Sequence, residues 1–225
     1  MKTHSTLFII SIGYWFIATY QLRAQPLQLD IMFRYATTNL RGNAALSNSS
    51  SISFITAGAG IRWVLHDKSA LSAGLIYDKK GSKQNISIEL DDGDGNVFLF
   101  DGTATSNFSY LTLPVRFNYQ FGNKVRLELG GGFYTAFLLK QELRQRIFII
   151  MNITEDQTDF YKRLDFGLSG SVAIVLPAFE RSFFRIGVEN NLGLMNVSDV
   201  PVMDNGSIRH NSFNAVITWT QVIGK

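Results

Sequence analysis

Residues 109–121 read SYLTLPVRFNYQF, and the side on which Arg116 falls decides how the chain folds. Side chains of a strand alternate between two faces. Here Leu111, Leu113, Val115, Phe117, Tyr119 and Phe121 oppose Tyr110, Thr112, Pro114, Arg116, Asn118 and Gln120. An unbroken apolar row needs an apolar medium. In water that medium is a protein core and Arg116 is solvated; in a bilayer the row faces lipid and Arg116 turns inward.

The same period-two pattern recurs along the chain. It is clear in LQLDIMFRYATT (27–38), ISFITAGAGIRWVLH (52–66), SALSAGLIYDKK (69–80) and VRLELGGGFYTAFLLK (125–140). It returns in RLDFGLSGSVAIVL (163–176), FFRIGVENNLGL (183–194) and SFNAVITWT (212–220). With 109–121 these make eight expected strands. Beyond residue 40 no stretch repeats apolar residues at helical spacing. The connections alternate in length: short near 66–69, 122–124 and 177–181, long and polar over 39–51, 82–105, 141–160 and 197–209. Up-and-down membrane barrels show this rhythm, with segments of about 10 alternating residues between short turns and long loops.

The polar faces collect Asp30, Arg34, Arg62, Asp78, Lys80, Arg116, Arg126, Glu128, Arg163, Asp165, Arg185 and Glu189. In a soluble barrel these would be a solvated exterior, and the large apolar side chains of all eight strands would then have to share one narrow interior. An eight-stranded barrel has room only for side chains, and so many bulky groups would overpack it. Glycines 58, 60, 74, 130, 132, 167, 187 and 193 also fall on the polar face, where they leave room inside. The expected fold is therefore all-β, an eight-stranded antiparallel up-and-down transmembrane β-barrel, with the charges paired in its lumen and Glu128 on the neighbouring strand as the expected partner of Arg116. Trp63, Tyr77, Tyr119, Phe121 and Trp219 are the expected interfacial aromatics.

Residues 1–24 have a basic start at Lys2, an apolar run from Leu7 to about Tyr20 and a small residue at Ala24. That is the pattern of a secretory signal peptide, leaving 25–225 as one barrel domain. The absence of cysteine excludes lipidation on cysteine, disulfides and thiolate metal sites. The charge of +3 comes from 21 basic and 18 acidic residues. It falls to +1 once Lys2 and Arg23 leave with the signal, so nucleic acid is not an expected partner.

GLIYDKKGSK (74–83), YLTLPVRFNYQFG (110–122), ELGGGFYTAFLL (128–139), LDFGLSGSVAIVL (164–176) and RHNSFNAVITW (209–219) occur in an order that resembles the outer-membrane β-barrel domain family of Gram-negative bacteria. Within that family the chain is most similar to the PorT-like small barrels, with a build of the OmpA/OmpX type. Tyr110-Leu111-x-x-Pro114 is the most specific piece. The resemblance implies an outer-membrane location, lipid as surroundings, and a structural, adhesion or accessory role in the cell envelope, in a secretion-related complex. It departs at the end of the chain, where TQVIGK lacks a terminal aromatic and Trp219 has to serve instead.

Candidate chemistry is sparse, and neither an enzyme nor a cofactor or metal site is expected. DDGDGN (91–96) is acidic enough for calcium. With Asp92, Asp94 and Asn96 as ligands, however, Val97 stands where a loop glycine belongs and Thr103 where a glutamate belongs. The flanking runs, Ser82–Leu90 and VFLF (97–100), make it the turn of a projecting hairpin. His210-x-Ser212 is similar to the His-Ser pair of outer-membrane lipid A deacylases, which gives a hydrolase as an alternative function; no acid follows to orient the histidine. A narrow solute pore is the other alternative. Ile147, Phe148, Ile149, Ile150 and Met151 form an apolar run in the third long connection. They are the expected contact surface for a protein partner.

Overall fold

The computed structural model describes residues 27–46, 48–91, 97–147, 151–202 and 205–223. Its strands are β1 (Leu27–Arg41), β2 (Ser50–His66), β3 (Ser69–Asp91), β4 (Val97–Gly122), β5 (Arg126–Ile147), β6 (Met151–Asp156), β7 (Leu164–Pro177), β8 (Ser182–Gly193) and β9 (Arg209–Ile223). The strands pair antiparallel in sequence order around the ring, with β5 passing directly to β7 and β6 pairing with β5 alone. The ring closes through β1 and β9, in register from Leu27↔Ile223 to Arg41↔Arg209. This is the expected eight-stranded up-and-down barrel. Closure leaves the ring without an open edge, which lipid requires.

The alternating burial shows which face is inside. On β1, Asp30, Met32, Arg34, Ala36, Thr38 and Leu40 are buried, while Leu27, Leu29, Ile31, Phe33 and Tyr35 are exposed. The apolar row of residues 111–121 likewise faces out, with Leu111, Leu113, Phe117, Tyr119 and Phe121 all exposed. Trp63, Tyr77, Tyr119, Phe121 and Trp219 are on this outer face as expected.

Three strands run well past their expected ends. β3 and β4 continue in register from Lys80↔Phe108 to Asp91↔Val97, so the second long connection is the anticipated hairpin. The third is not a loop: β5 runs on to Ile147, and β6 pairs back on it from Glu142↔Asp156 to Ile147↔Met151. A register shift against Ser109/Tyr110 leaves Leu139 as an extra residue on β5. That bulge reverses the facing of the segment, so Gln141 turns inward and Lys140, Glu142 and Arg144 turn outward. Beyond the barrel, β3, β4, β5 and β6 thus form a four-stranded projecting sheet.

The expected signal peptide (1–24) lies outside the described residues, as do Asp92, Asp94 and Asn96 of the acidic turn. Of the apolar run, Phe148, Ile149 and Ile150 and the side chain of Met151 lie outside them too; Ile147 is a half-buried residue at the end of β5.

Candidate functional site

The lumen holds buried charges in three layers. Nearest the short turns, Arg62 and Arg185 oppose Asp30 and Glu128. Arg62 lies 3.0 Å from Glu128 and 3.5 Å from Asp30; Arg185 lies 3.3 Å from Glu128 and 3.4 Å from Asp30. Gln120 donates to Glu128 at 2.6 Å and Arg185 to the Gln28 amide oxygen at 3.1 Å. In the middle, Glu189 receives Arg34 at 3.0 Å, together with Arg116 and the Asn191 amide; Thr112 donates to the nearby Asp78 at 3.3 Å. Each of these two layers balances two cations with two anions, which is what lets their polar side chains stay buried without a net charge.

The third layer lies toward the long connections and mixes charge with aromatic rings. The Lys80 ammonium sits 3.0 Å from Asp165, 4.3 Å from the Tyr134 ring centre and 5.0 Å from that of Tyr110. The Tyr134 hydroxyl donates to Asp165 at 3.1 Å. Gly167 and Gly193 make room for Tyr134, since a Cβ on Gly167 would stand 2.6 Å from its ring. Above this, Leu40, Phe108, Tyr110, Ala136 and Leu138 form an apolar cluster, packed against Leu46, Tyr161 and Ile208 of the connections. Backbone bonds from Lys162 to Val197 (2.8 Å) and from Val197 to Ile208 (2.8 Å) stitch those connections across the mouth. Sequence reading missed this cluster, although extending the row of Glu128, Gly130 and Gly132 leads to Tyr134, Ala136 and Leu138.

Of the charges read as a lumen network, Asp30, Arg34, Arg62, Asp78, Glu128, Asp165, Arg185 and Glu189 are buried in these layers, and three arginines differ from the sequence reading. Arg116 pairs with Glu189 of β8 instead of Glu128. The two arginines nearest Glu128 come from β2 and β8, because lumen side chains reach across the barrel and not only to the adjacent strand. Arg163 does not enter the lumen: it precedes β7, is exposed, and pairs with Asp159 at 3.0 Å in the connection. Arg126 lies at the short-turn end, where its guanidinium stacks 4.8 Å from the Phe183 ring and joins no ion pair among the described residues.

His210 and Ser212 are both buried in the lumen, 0% and 1% exposed. The His210 Nε2 shares a 3.0 Å hydrogen bond with the Tyr110 hydroxyl, while its Nδ1 and the Ser212 Oγ have no partner. The pair is therefore not hydrogen-bonded as a base and nucleophile. Among the described residues no group of three His, Asp or Glu side chains could hold a metal.

The projecting sheet has two unlike faces. Its outer face carries Lys83, Asn85, Asp101, Lys140, Arg144 and Asn152, all exposed. Lys140 and Arg144 reach Glu142 at 2.7 and 2.9 Å, and hydrogen bonds first from Lys140 and then from Arg144 hold the Glu142 carboxyl below its usual range. The other face continues the lumen side and includes half-buried Ile86, Leu143, Ile147 and Ile153. β6 is the last strand of the sheet order, and pairing of β2 with β3 stops at Ser50↔Lys83. Both edges of the projection are thus open among the described residues.

Solved structures that this chain is similar to include Neisserial surface protein A, at 10% identity over 88% of this chain and 97% of that one, with a TM-score of 0.44. Ail of Yersinia pestis, in complex with the heparin analogue sucrose octasulfate, is 9% identical over 86% and 98%, TM-score 0.38. OprG of Pseudomonas aeruginosa is 10% identical over 89% and 93%, TM-score 0.38. No curated protein sequence matches this chain. Residues 31–199, which hold the lumen charges from Arg34 to Glu189, match the family described as outer membrane protein beta-barrel domain. The chain belongs to that family and is a small outer-membrane β-barrel protein.

Proposed function

We propose that this protein is a non-enzymatic, non-conducting barrel that anchors its projecting sheet at the cell surface as a docking platform for another envelope protein. The observation that carries this reading is the open edge of β6. An unpaired edge strand is a ready template for strand addition, and here it is held clear of the bilayer. The long-connection end faces outward, as in other up-and-down outer-membrane barrels. The partner is a subunit of an envelope assembly, adhesive or secretion-related in line with the PorT-like resemblance, and Ile147 at the end of β5 adds an apolar contact beside the edge.

Neither alternative gains support. A pore would need water to pass three layers of paired charge and the aromatic cluster at the mouth. A lipid hydrolase would need His210 and Ser212 in contact with each other and with an ester. The test is photo-crosslinking in intact cells from Asn152, Thr154 and Ile147. Capture of one envelope protein, abolished by Thr154→Pro on the open edge, is the expected result; no capture from any of the three positions would sink the docking reading.

A further inference from the structure

On the outer surface, the register aligns Phe117 of β4, Gly131 of β5, Gly170 of β7, Asn190 of β8 and Phe213 of β9 in one row across the sheet. The rows on either side are Leu129–Val172–Val188 and Phe133–Leu168–Leu192. Nothing lies within 4 Å of where a Cβ would stand on Gly131 or Gly170. Internal packing therefore does not demand these glycines, although glycine weakens a strand. They leave a slot one side-chain row wide, about 7 Å, at about 3.4 Å per residue. Phenylalanines close it at both ends, and the depression is lined by Leu129, Leu168, Val172, Leu192 and Phe213.

The floor of the slot ends on a polar group. The Asn190 amide nitrogen donates to the Asn211 side-chain oxygen and the Ser212 carbonyl, both at 3.1 Å, which fixes the orientation of the amide. Among the described residues no hydrogen bond reaches the Asn190 Oδ1 or leaves the Asn211 amide nitrogen. An acceptor and a donor thus stand side by side on an apolar belt, where unmet polar groups are costly.

Two residues beyond Asn211 along β9, at the rim of the belt, Arg209 stands directly opposite Arg41 of β1. Like charges facing across a strand pair destabilise it. Neither guanidinium has an ion pair among the described residues, and both Nε atoms are buried without a partner. Arg41 is held in place by its hydrogen bond to the Gly193 carbonyl, which draws it over β9 toward β8. Arginine pairs of this kind suit a phosphate, which accepts from both guanidinium forks.

We propose that this outer face binds one phosphate-bearing membrane lipid. Arg41 and Arg209 take the phosphate; Asn190 and Asn211 meet an amide or hydroxyl at the head of an acyl chain; and the Gly131–Gly170 slot takes the chain. The three features adjoin along one path from the rim into the belt, and the surroundings of that belt are lipid. The inference rests on the barrel alone and not on the docking reading, so either can fail without the other.

The test uses the full-length folded protein in phosphatidylcholine vesicles doped with diphosphoryl lipid A, which carries amide-linked as well as ester-linked chains. Retained lipid is counted by mass spectrometry after mild detergent extraction. One copy per barrel is expected on the wild type. Arg41→Ala/Arg209→Ala should lower retention by about tenfold, the size of effect expected for lost charge-assisted bonds. Gly170→Leu, whose side chain enters open space, should lower retention with the arginines intact. Heat-modifiable migration on gels verifies that each variant is folded. Equal retention by wild type and both variants overturns the proposal. So does displacement by excess inorganic phosphate without loss in Gly170→Leu, which marks a phosphate site and no chain slot. Loss of a dimer in Gly170→Leu without loss of lipid overturns it as well, since a second copy then fills the slot.

Discussion

Glu128→Gln keeps the volume of the side chain and removes its charge from the layer nearest the short turns. Glu128 is 4% exposed and receives Arg62 at 3.0 Å, Arg185 at 3.3 Å and Gln120 at 2.6 Å. In the wild type two guanidiniums face Asp30 and Glu128; in the variant they face Asp30 alone. Breaking a buried ion pair costs about 3–5 kcal/mol, because one charge stays behind without compensation. A cavity of about 40 Å³ bordered by Arg62, Arg116, Arg185 and Glu128 offers room for about two waters, which solvate the orphaned charge in part. The expected loss is therefore about 2–4 kcal/mol. Urea unfolding of the barrel in detergent, followed by the fluorescence of Trp63 and Trp219, measures it. Adding Arg62→Met restores the balance, with Arg185 against Asp30, and should recover at least half of the loss. A single variant within about 0.5 kcal/mol of wild type, the scatter of ordinary surface substitutions, would refute the reasoning, as would a double variant no better than the single.

Lys80→Met should be destabilising on the same scale, about 3–5 kcal/mol, since Asp165 keeps only the Tyr134 hydroxyl; Asp165→Asn in the same chain should recover part of it, and the same urea titration decides. Ile61→Arg places a charge on the lipid face of β2, where Ile61 is 51% exposed. It should cost about 2–4 kcal/mol if Ile61 lies near the bilayer midplane; a cost below about 1 kcal/mol would place it at an interface instead. Acid should loosen the projecting sheet before the barrel. The Glu142 carboxyl is held low by Lys140 and Arg144, and that of Asp156 by the Thr158 hydroxyl and amide. A depressed carboxylate stabilises above its unfolded pKa, roughly 4, and the contribution is lost as pH falls through the folded value. Amide exchange in β6, corrected for intrinsic rate, should rise below about pH 4 while β8 stays protected; equal protection across that range would rule this out.

The barrel was legible in the sequence because its two signals are local. Alternation at Leu111–Phe121 and its repeats shows which side chains share a face, and the long and short connections show the order of hairpins. The projecting sheet was legible in half: the β3–β4 hairpin flanks its turn with strand-like runs, whereas β6 is only six residues long and hides in a polar connection. The bulge at Leu139 was not legible, since one extra residue on β5 leaves the composition of the strand unchanged and reverses everything after it. Arg163 misled for a similar reason. Its spacing from Asp165 continues the lumen row, but the strand starts one residue later and the chain there turns outward to Asp159.

By itself the sequence determined the medium on each side of the sheet. A period of two, read against charge, is a property of neighbouring residues and survives any choice of register. Tertiary structure alone decided which charges pair. Arg116 meets Glu189, and Glu128 meets Arg62 and Arg185, because closing the ring through β1 and β9 fixes which strands lie opposite each other and at what height. The same closure sets the two glycines, the two asparagines and the two arginines along one outer path, although Gly131 and Arg209 are far apart in the chain.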